Sequence, residues 1–272
     1  MSAGLLDRAL SEVRSLDTLS RQSTPVHRLD PRTKLILVFM FVGVVMSFPP
    51  YTLLALLPYA AFPLWLAASG RIPGGALYRK LLLVLPLAVF VGILNPIFDT
   101  TPRMVPGIGS VAGGWLSLGS ILVRFFLNAA TGLLLLGTTG VLSLTQGMEA
   151  LHFPRVFSTL FLLMYRYLFI LTEEVLRLNQ ARRCRSSARS SLTPSLAGAM
   201  IGSVLLRAWD RADRITTAMR MRGFTGTPPR LTPLHWTATD TRVLVFWTAY
   251  FLLCRGWNLP VLLGRVVVGL LS

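Results

Sequence analysis

Apolar residues in this chain gather in long runs, which proline and charge then interrupt. Residues 35–48 form a dense apolar run stopped by Pro49 and Pro50, and residues 51–68 form a second. A third covers residues 81–98, broken by Pro86 and Pro96. A fourth extends from about residue 115 to 144 with Arg124 and Asn128 inside it. A last run begins at Val243 and reaches Leu253, after which Arg255, Pro260 and Arg265 interrupt it. A membrane-crossing helix needs about 20 predominantly apolar residues. These runs therefore predict an all-α polytopic membrane protein with five transmembrane helices, or six if residues 260–272 re-enter the bilayer. Proline inside a span is tolerated where neighbouring helices satisfy the freed backbone groups, and a lone Arg124 is expected to face other helices or the interface.

Between the fourth run and the last the character changes. Residues 146–242 contain 14 arginines and six acids. Each arginine at a bilayer centre costs about 2.5–3.5 kcal/mol on insertion scales, so this density predicts a long region in water or at the membrane surface. Within it, Pro194 opens an apolar stretch of about 12 residues that ends at Arg207. That is too short to span, and Gly198 and Gly202 on one face suit close helix crossing. At the N-terminus, Leu5, Leu6, Ala9, Leu10, Val13, Leu16 and Leu19 recur at helical spacing among Asp7, Arg8, Glu12 and Arg14, which predicts an amphipathic helix on a membrane or partner. The expected division is thus residues 1–24 amphipathic, 25–145 transmembrane, 146–242 cytoplasmic and 243–272 transmembrane.

Composition supports the membrane reading: 53% of the 272 residues are hydrophobic and 14% charged, with a mean hydropathy of +0.61, against roughly 25% charged in soluble domains. The formal net charge of +16 rests almost wholly on arginine, Lys34 and Lys80 being the two lysines. With apolar spans alongside, such charge suits anionic lipid or an acidic protein partner better than nucleic acid. Arg28, Arg32 and Lys34 precede the first run, Arg71, Arg79 and Lys80 separate the second from the third, and the arginine block follows the fourth. The positive-inside rule then places the N-terminus and the basic region on the cytoplasmic side of the inner (plasma) membrane.

The basic region repeats itself at an offset of 37 residues. Glu173 aligns with Asp210, Arg177 with Arg214, Ala181 with Ala218, Arg183 with Arg220, Arg185 with Arg222 and Ser186 with Gly223. Steps of four keep Arg177, Ala181 and Arg185 along one slowly turning helix face, and likewise Arg214, Ala218 and Arg222. Ordinary capping accounts for one such unit, because basic residues favour helix C-termini and Gly follows them. Two copies in matched register point further, to two helix ends that each offer a planar guanidinium to carboxylates beside a small residue that admits a partner backbone. A dimeric ATPase has the matching pair of acidic grooves.

Other chemistries lack their residues. His27, His152 and His235 are far apart, Cys184 and Cys254 sit in unlike contexts, and no HExxH, CxxC or GxxxxGK[ST] pattern occurs. A zinc, disulfide or nucleotide site in this chain, and a membrane-embedded enzyme, are therefore disfavoured. The arginine block lacks the interleaved aromatics of a nucleic-acid stacking platform. The rival transport reading is a conventional ABC permease that forms its own pathway.

Three segments carry a resemblance: the lead-in Thr24-Pro-Val-His-Arg-Leu-Asp-Pro-Arg-Thr-Lys-Leu35, the run Met164-Tyr-Arg-Tyr-Leu-Phe169 leading into Glu173-Glu174, and Ala212-Asp-Arg214 leading into Met219-Arg-Met-Arg-Gly-Phe224. The chain resembles, over nearly its whole length, the transmembrane T subunit of energy-coupling factor transporters, in particular the CbiQ type of cobalt and nickel uptake systems. In that family two tripeptides, usually Ala-Arg-Gly or Ala-Arg-Ser, end helices that insert into two ATPase subunits. Here they fall on Cys184-Arg185-Ser186 and Met221-Arg222-Gly223, the positions the internal repeat reaches independently. Cys184 and Met221 depart from the usual Ala, and a second frame at Ala181-Arg182-Arg183 breaks the repeat. The resemblance implies a non-catalytic subunit that binds no cofactor itself. Its partners would be two ATP-binding cassette subunits, which hold the ATP, and a separate substrate-binding S subunit that carries the cargo, here cobalt ion.

Overall fold

The computed structural model describes residues 20, 22, 24–51, 53–98, 102–105, 109–185, 193–224, 226 and 234–256. The expected N-terminal amphipathic helix lies almost wholly outside the described residues, as do Ser186 and residues 257–272. In chain order the elements are α1 (Pro31–Met46), a 3₁₀ segment (Leu54–Ala60), α2 (Ala61–Ser69), α3 (Gly74–Gly92), α4 (Leu94–Phe98), β1 (Pro102–Val105), β2 (Gly109–Ala112), α5 (Gly113–Thr139), α6 (Val141–Ala150), α7 (Arg155–Arg185), α8 (Pro194–Met221) and α9 (Ala238–Gly256). The strands form one short antiparallel hairpin with Pro102 opposite Ala112, a small exception in an otherwise helical chain that the apolar runs do not foretell.

The described residues fall into two compact units. A core unit takes residues 20–140 and 234–256, and an arm unit takes residues 141–226. In the core unit α1 packs on α5 and α9, while α3 and α4 lie along α5. Its centre is aromatic. Phe41 of α1 is fully buried, with its ring centroid 5.1 Å from Phe62, 5.6 Å from Phe251 and 6.4 Å from Tyr59. Phe62 meets Phe251 and Trp247 edge-on at 5.3 and 5.0 Å, the tilted geometry that ring quadrupoles favour. Where lipid is as apolar as the core, tight ring packing of this kind holds helices together.

Proline and glycine decide where the elements break. The second apolar run is not one α-helix: its first half winds as 3₁₀ around Pro58, which has no N–H to offer. Tyr250 Oη donates to the Pro58 carbonyl at 2.9 Å, and Tyr59 Oη to the Phe251 carbonyl at 3.2 Å, tying this segment to α9. The third run begins earlier than expected, at Gly74, and α3 continues through Pro86 before breaking at Ile93. The fourth ends at Gly140, whose φ of +71° terminates α5 with Gly140 N–H donating to the Leu136 carbonyl at 3.0 Å. Arg124 behaves as an arginine in an apolar helix should. Its guanidinium reaches out of α5 to the Pro49 carbonyl, while Arg255 from α9 donates to the Ser47 carbonyl and hydroxyl at 3.2 Å and lies 4.4 Å over the Phe48 ring. Two helices thereby cap the turn after α1.

At the opposite end of α1 lies a buried polar cluster. Asp30 is the N-cap, its carboxylate accepting from Arg32 N–H at 2.9 Å, with Pro31 as the first helical residue. Asp240 is completely buried at the start of α9. One of its oxygens accepts the Thr237 backbone N–H at 2.9 Å, the carboxylate half of a capping box, together with the Thr237 hydroxyl, and the other accepts Asp30 N–H at 2.8 Å. Lys34, also buried, donates through Nζ to the Thr138 carbonyl at 3.0 Å. Burial lowers this ammonium, one residue before the apolar run, to about 8, against the opposing pull of Asp240 and then Asp30.

Three segments are long and apolar enough to cross a membrane by length and composition: Leu77–Pro96, α5 and α7. α7 meets these criteria although the arginine density of residues 146–242 as a whole predicts a region in water. Density averaged over that region hides its distribution, since of the six arginines in α7 only Arg166 lies between residues 156 and 176.

Phe41→Ala removes the ring that touches three others, and a loss of about 3–5 kcal/mol is expected. Thermal unfolding of the detergent-solubilised protein checks this, with Phe39→Ala on the exposed face of α1 expected to melt like the parent.

Candidate functional site

The arginine-bearing repeat becomes two long helices of the arm unit. α7 finishes on Arg185, with Arg182 and Arg183 also in its last turn, and α8 ends at Met221 with Arg222 as its C-cap. Cations suit a helix C-terminus because unpaired carbonyls leave partial negative charge there. The end of α8 is built as a Schellman turn: Phe224 N–H donates to the Met219 carbonyl and Gly223 N–H to the Arg220 carbonyl, both at 3.0 Å, with Gly223 at φ +78°. A side chain at that φ is disfavoured, whereas glycine adopts it freely. Arg222 thus sits on a tightly closed helix end with its guanidinium in solvent.

The described residues of both expected tips are exposed. Arg185, Cys184, Arg222 and Gly223 are exposed, and Met221 is 84% exposed. Arg177, Ala181, Arg214 and Ala218, the supporting residues of the repeat, are exposed as well. Arg177 lies 3.8 Å from Glu173 one turn earlier. Arg182, at the middle of the alternative tripeptide frame, is half-buried, in contrast with Arg185.

One contact absent from the sequence reading organises the pair. Glu174 of α7, its side chain only 15% exposed, lies 3.5 Å from Arg207 and 3.2 Å from Arg211 of α8. The apolar stretch after Pro194 is therefore not a separate short helix ending at Arg207. Arginine is a good helix former, and α8 runs through Arg207 so that it can meet Glu174. Further along, the Thr159 hydroxyl of α7 donates to the Gly226 carbonyl beyond α8 at 3.1 Å. Taken with the Glu174 pairs, this link runs in the opposite chain direction, so α7 and α8 pack antiparallel. Glu174 stands eleven residues before Arg185, and Arg211 eleven before Arg222. The two tips consequently lie on opposite sides of the Glu174 contact, each ~16 Å of helix away. The 37-residue repeat is this two-fold relation written in sequence.

The histidines do not converge. His27 Nδ1 lies 2.6 Å from the Thr24 hydroxyl. His152 occupies the left-handed C′ position after α6, at φ +66°, with its N–H donating to the Glu149 carbonyl at 3.2 Å and Phe153 N–H to Met148 at 3.1 Å. His235 is exposed. Among the described residues no group of three His, Cys, Asp or Glu is placed to hold a metal ion.

Apolar helices of membrane-crossing length, joined in one chain to an antiparallel helix pair with arginine at each end, define a helical membrane protein. The chain belongs to the CbiQ family, the cobalt transport proteins, whose profile matches residues 22–234. It is similar over most of its length to energy-coupling factor transporter transmembrane proteins. That of Bacillus subtilis (strain 168) is 29% identical over 241 residues, covering 81% of this chain and 89% of the relative. That of Heliobacterium modesticaldum is 29% identical over 257 residues, covering 86% and 94%, and that of Ruminiclostridium cellulolyticum 28% over 244 residues, covering 80% and 87%. The resemblance drawn from the three motifs holds.

Two outcomes follow from the tips. Gly223→Ala forces a side chain into the left-handed region at a cost of about 1–2 kcal/mol, and hydrogen exchange at Gly223 and Phe224 should accelerate by roughly 5- to 30-fold. Glu174→Gln and Arg211→Gln should be non-additive in thermal stability, with a coupling of at most ~1 kcal/mol because Arg211 is partly solvated. Strict additivity would mean that the two side chains do not interact.

Proposed function

We propose that this chain is the T subunit of an energy-coupling factor importer, a non-catalytic component that passes the motion of two ATP-binding cassette subunits to a separate substrate-binding S subunit in the membrane. The observation that carries the reading is the two-fold placement of Arg185 and Arg222 about Glu174. Exposed arginines on opposite ends of one helix pair, on the order of 30 Å of helix apart, suit two copies of one partner better than a single groove.

Each tip combines a guanidinium with an accessible apolar neighbour, Cys184 or Met221. Such a tip can enter a groove, with the fork meeting carboxylates and the thiol or thioether filling the apolar floor. Gly223 leaves room for the partner's backbone at one tip, and Ser186 holds the equivalent sequence position at the other. Nucleotide binding would draw the two ATPase copies together, and the helices gripped by them would turn the S subunit so that its site faces alternate sides of the bilayer. Cobalt ion is the proposed cargo, following the family to which the chain belongs. The S subunit would hold that cargo, and ATP would stay in the ATPases.

The reading puts the protein in the inner (plasma) membrane with its N-terminus and the arginine tips of the arm unit cytoplasmic. The positive-inside rule gives a cytoplasmic side to the clusters Arg28, Arg32 and Lys34 before α1, Arg71, Arg79 and Lys80 around the start of α3, and the arginines of the tips. The turn of residues 47–50 between them carries no positive charge.

Arg185→Glu with Arg222→Glu should leave membrane insertion and monodispersity intact while ATPase subunits no longer co-purify with the detergent-solubilised protein. A well-folded double variant that still brings down ATPase in wild-type amount would overturn the coupling role. Uptake of radioactive Co²⁺ by cells carrying the full complex tests the cargo separately: ATPase attachment without Co²⁺ accumulation would leave the T-subunit reading standing and remove cobalt.

A further inference from the structure

Among the described residues the chain leaves the core unit after Gly140 and is back in it from Leu234. Every residue of the arm unit between those points is tied to the core covalently through these two crossings. Their immediate neighbours inside the core are the residues of the buried polar cluster. Thr138, whose carbonyl accepts the Lys34 ammonium at 3.0 Å, lies two residues before Gly140. Thr237, which forms the capping box with Asp240, lies three residues after Leu234. Asp240 also accepts Asp30 N–H at 2.8 Å, and Asp30 caps the same helix that presents Lys34 one turn later. One compact cluster on the first turn of α1 therefore fastens both the outgoing and the returning strand of chain.

The outgoing crossing is itself stiff. Gly140 holds φ +71°, and a Cβ there would come within 2.7 Å of the Ser20 hydroxyl. Nearby, Gly70 brings the turn after α2 so close that a Cβ would meet Thr138 Cγ2 at 3.1 Å. The crossing is packed from two sides as well as bonded by Lys34. Among the described residues the returning crossing has no comparable packing by glycine, and it is held by Asp240, which is fully buried. Buried carboxylates and ammoniums are costly unless each is bonded. A charge cluster kept inside the protein at this one location, where apolar residues would serve stability as well, calls for a role beyond folding.

We infer that Asp30, Lys34 and Asp240 are positioning residues which clamp both chain crossings to the first turn of α1, so that displacement of the arm unit is delivered to the core helices as a rigid movement. The inference rests on the T-subunit reading, since it supposes that ATPases drive the arm. Lys34 transmits through α5 and Asp240 through α9, and both converge on α1, whose Phe41 is the centre of the aromatic core. Loosening the cluster would let the crossings flex, and nucleotide-driven motion would stop at residues 140 and 234.

Hydrogen exchange of the whole complex, with and without a non-hydrolysable ATP analogue, reads this transmission and is independent of cargo. In wild type a nucleotide-dependent change in exchange is expected in α7 and α8 and also in α1 and α9. Asp240→Asn should keep the change in α7 and α8 and lose it in α1 and α9. Thr237→Val supplies a milder test, removing one hydroxyl bond to Asp240 from an exposed position, and should diminish the change in α9 even if Asp240→Asn fails to assemble. Wild-type responses in α1 and α9 of both variants, or of Thr237→Val alone where the other does not assemble, overturn the clamp, as does a wild type whose α1 and α9 never respond to nucleotide. Failure of the wild type to bind ATPase at all is a different result, and strikes the T-subunit reading instead.

Discussion

Asp240 has no exposure to solvent and accepts hydrogen bonds from two segments more than two hundred residues apart. A carboxylate in that position is destabilising unless its oxygens are filled. Here one oxygen closes the first turn of α9 and the other holds the N-cap of α1. Lys34 supplies the compensating charge and directs its own donor to the last turn of α5. Three helices far apart in sequence are thereby registered at one end by polar bonds, while the rings of Phe41, Phe62, Trp247 and Phe251 hold α1, α2 and α9 together along their length. Polar registration at the end and aromatic packing along the shafts divide the work: the first fixes which turn meets which, the second supplies the contact area.

The same division explains what could be read from sequence. Apolar runs locate the helices of the core because burial in lipid or protein demands them, and α1, α5 and α9 fall where the first, fourth and last runs lie. Breaks were less legible. Pro86 sits inside α3 without ending it, whereas Pro58 lies in a 3₁₀ half of the second run, where Tyr250 arrives from α9 to bond the Pro58 carbonyl and Tyr59 reaches back to the Phe251 carbonyl. Gly140 gave no signal among many glycines, since its role follows from a backbone angle and from the nearness of Ser20. The capping box was visible in principle, as Thr237 and Asp240 stand at the right spacing before an apolar run, but its second bond, to Asp30, has no local signature.

At the helix pair, the repeat located Arg185 and Arg222 from spacing alone, while the contact at its centre stayed hidden. Glu174 has no counterpart of its own kind in the second copy: the residue 37 positions on is Arg211, its partner. A repeat search rewards identity, and a two-fold contact between unlike residues is invisible to it. The apolar stretch after Pro194 misled for a related reason, because arginine at position 207 looks like an ending until its partner on α7 is known.

Equal spacing from Glu174 to the two arginine tips has a mechanical consequence. Two arms of ~16 Å about a common pivot form a balanced beam, and a change of crossing angle at the Glu174 contact displaces both ends by the same amount in opposite senses. About ten degrees of rotation corresponds to about 3 Å at each tip, on arms of that helical rise. Lengthening either helix by a single turn between pivot and tip would unbalance the beam and rotate its arginine by a fraction of a turn. The spacing of eleven is thus a tolerance set by the geometry of the two arms.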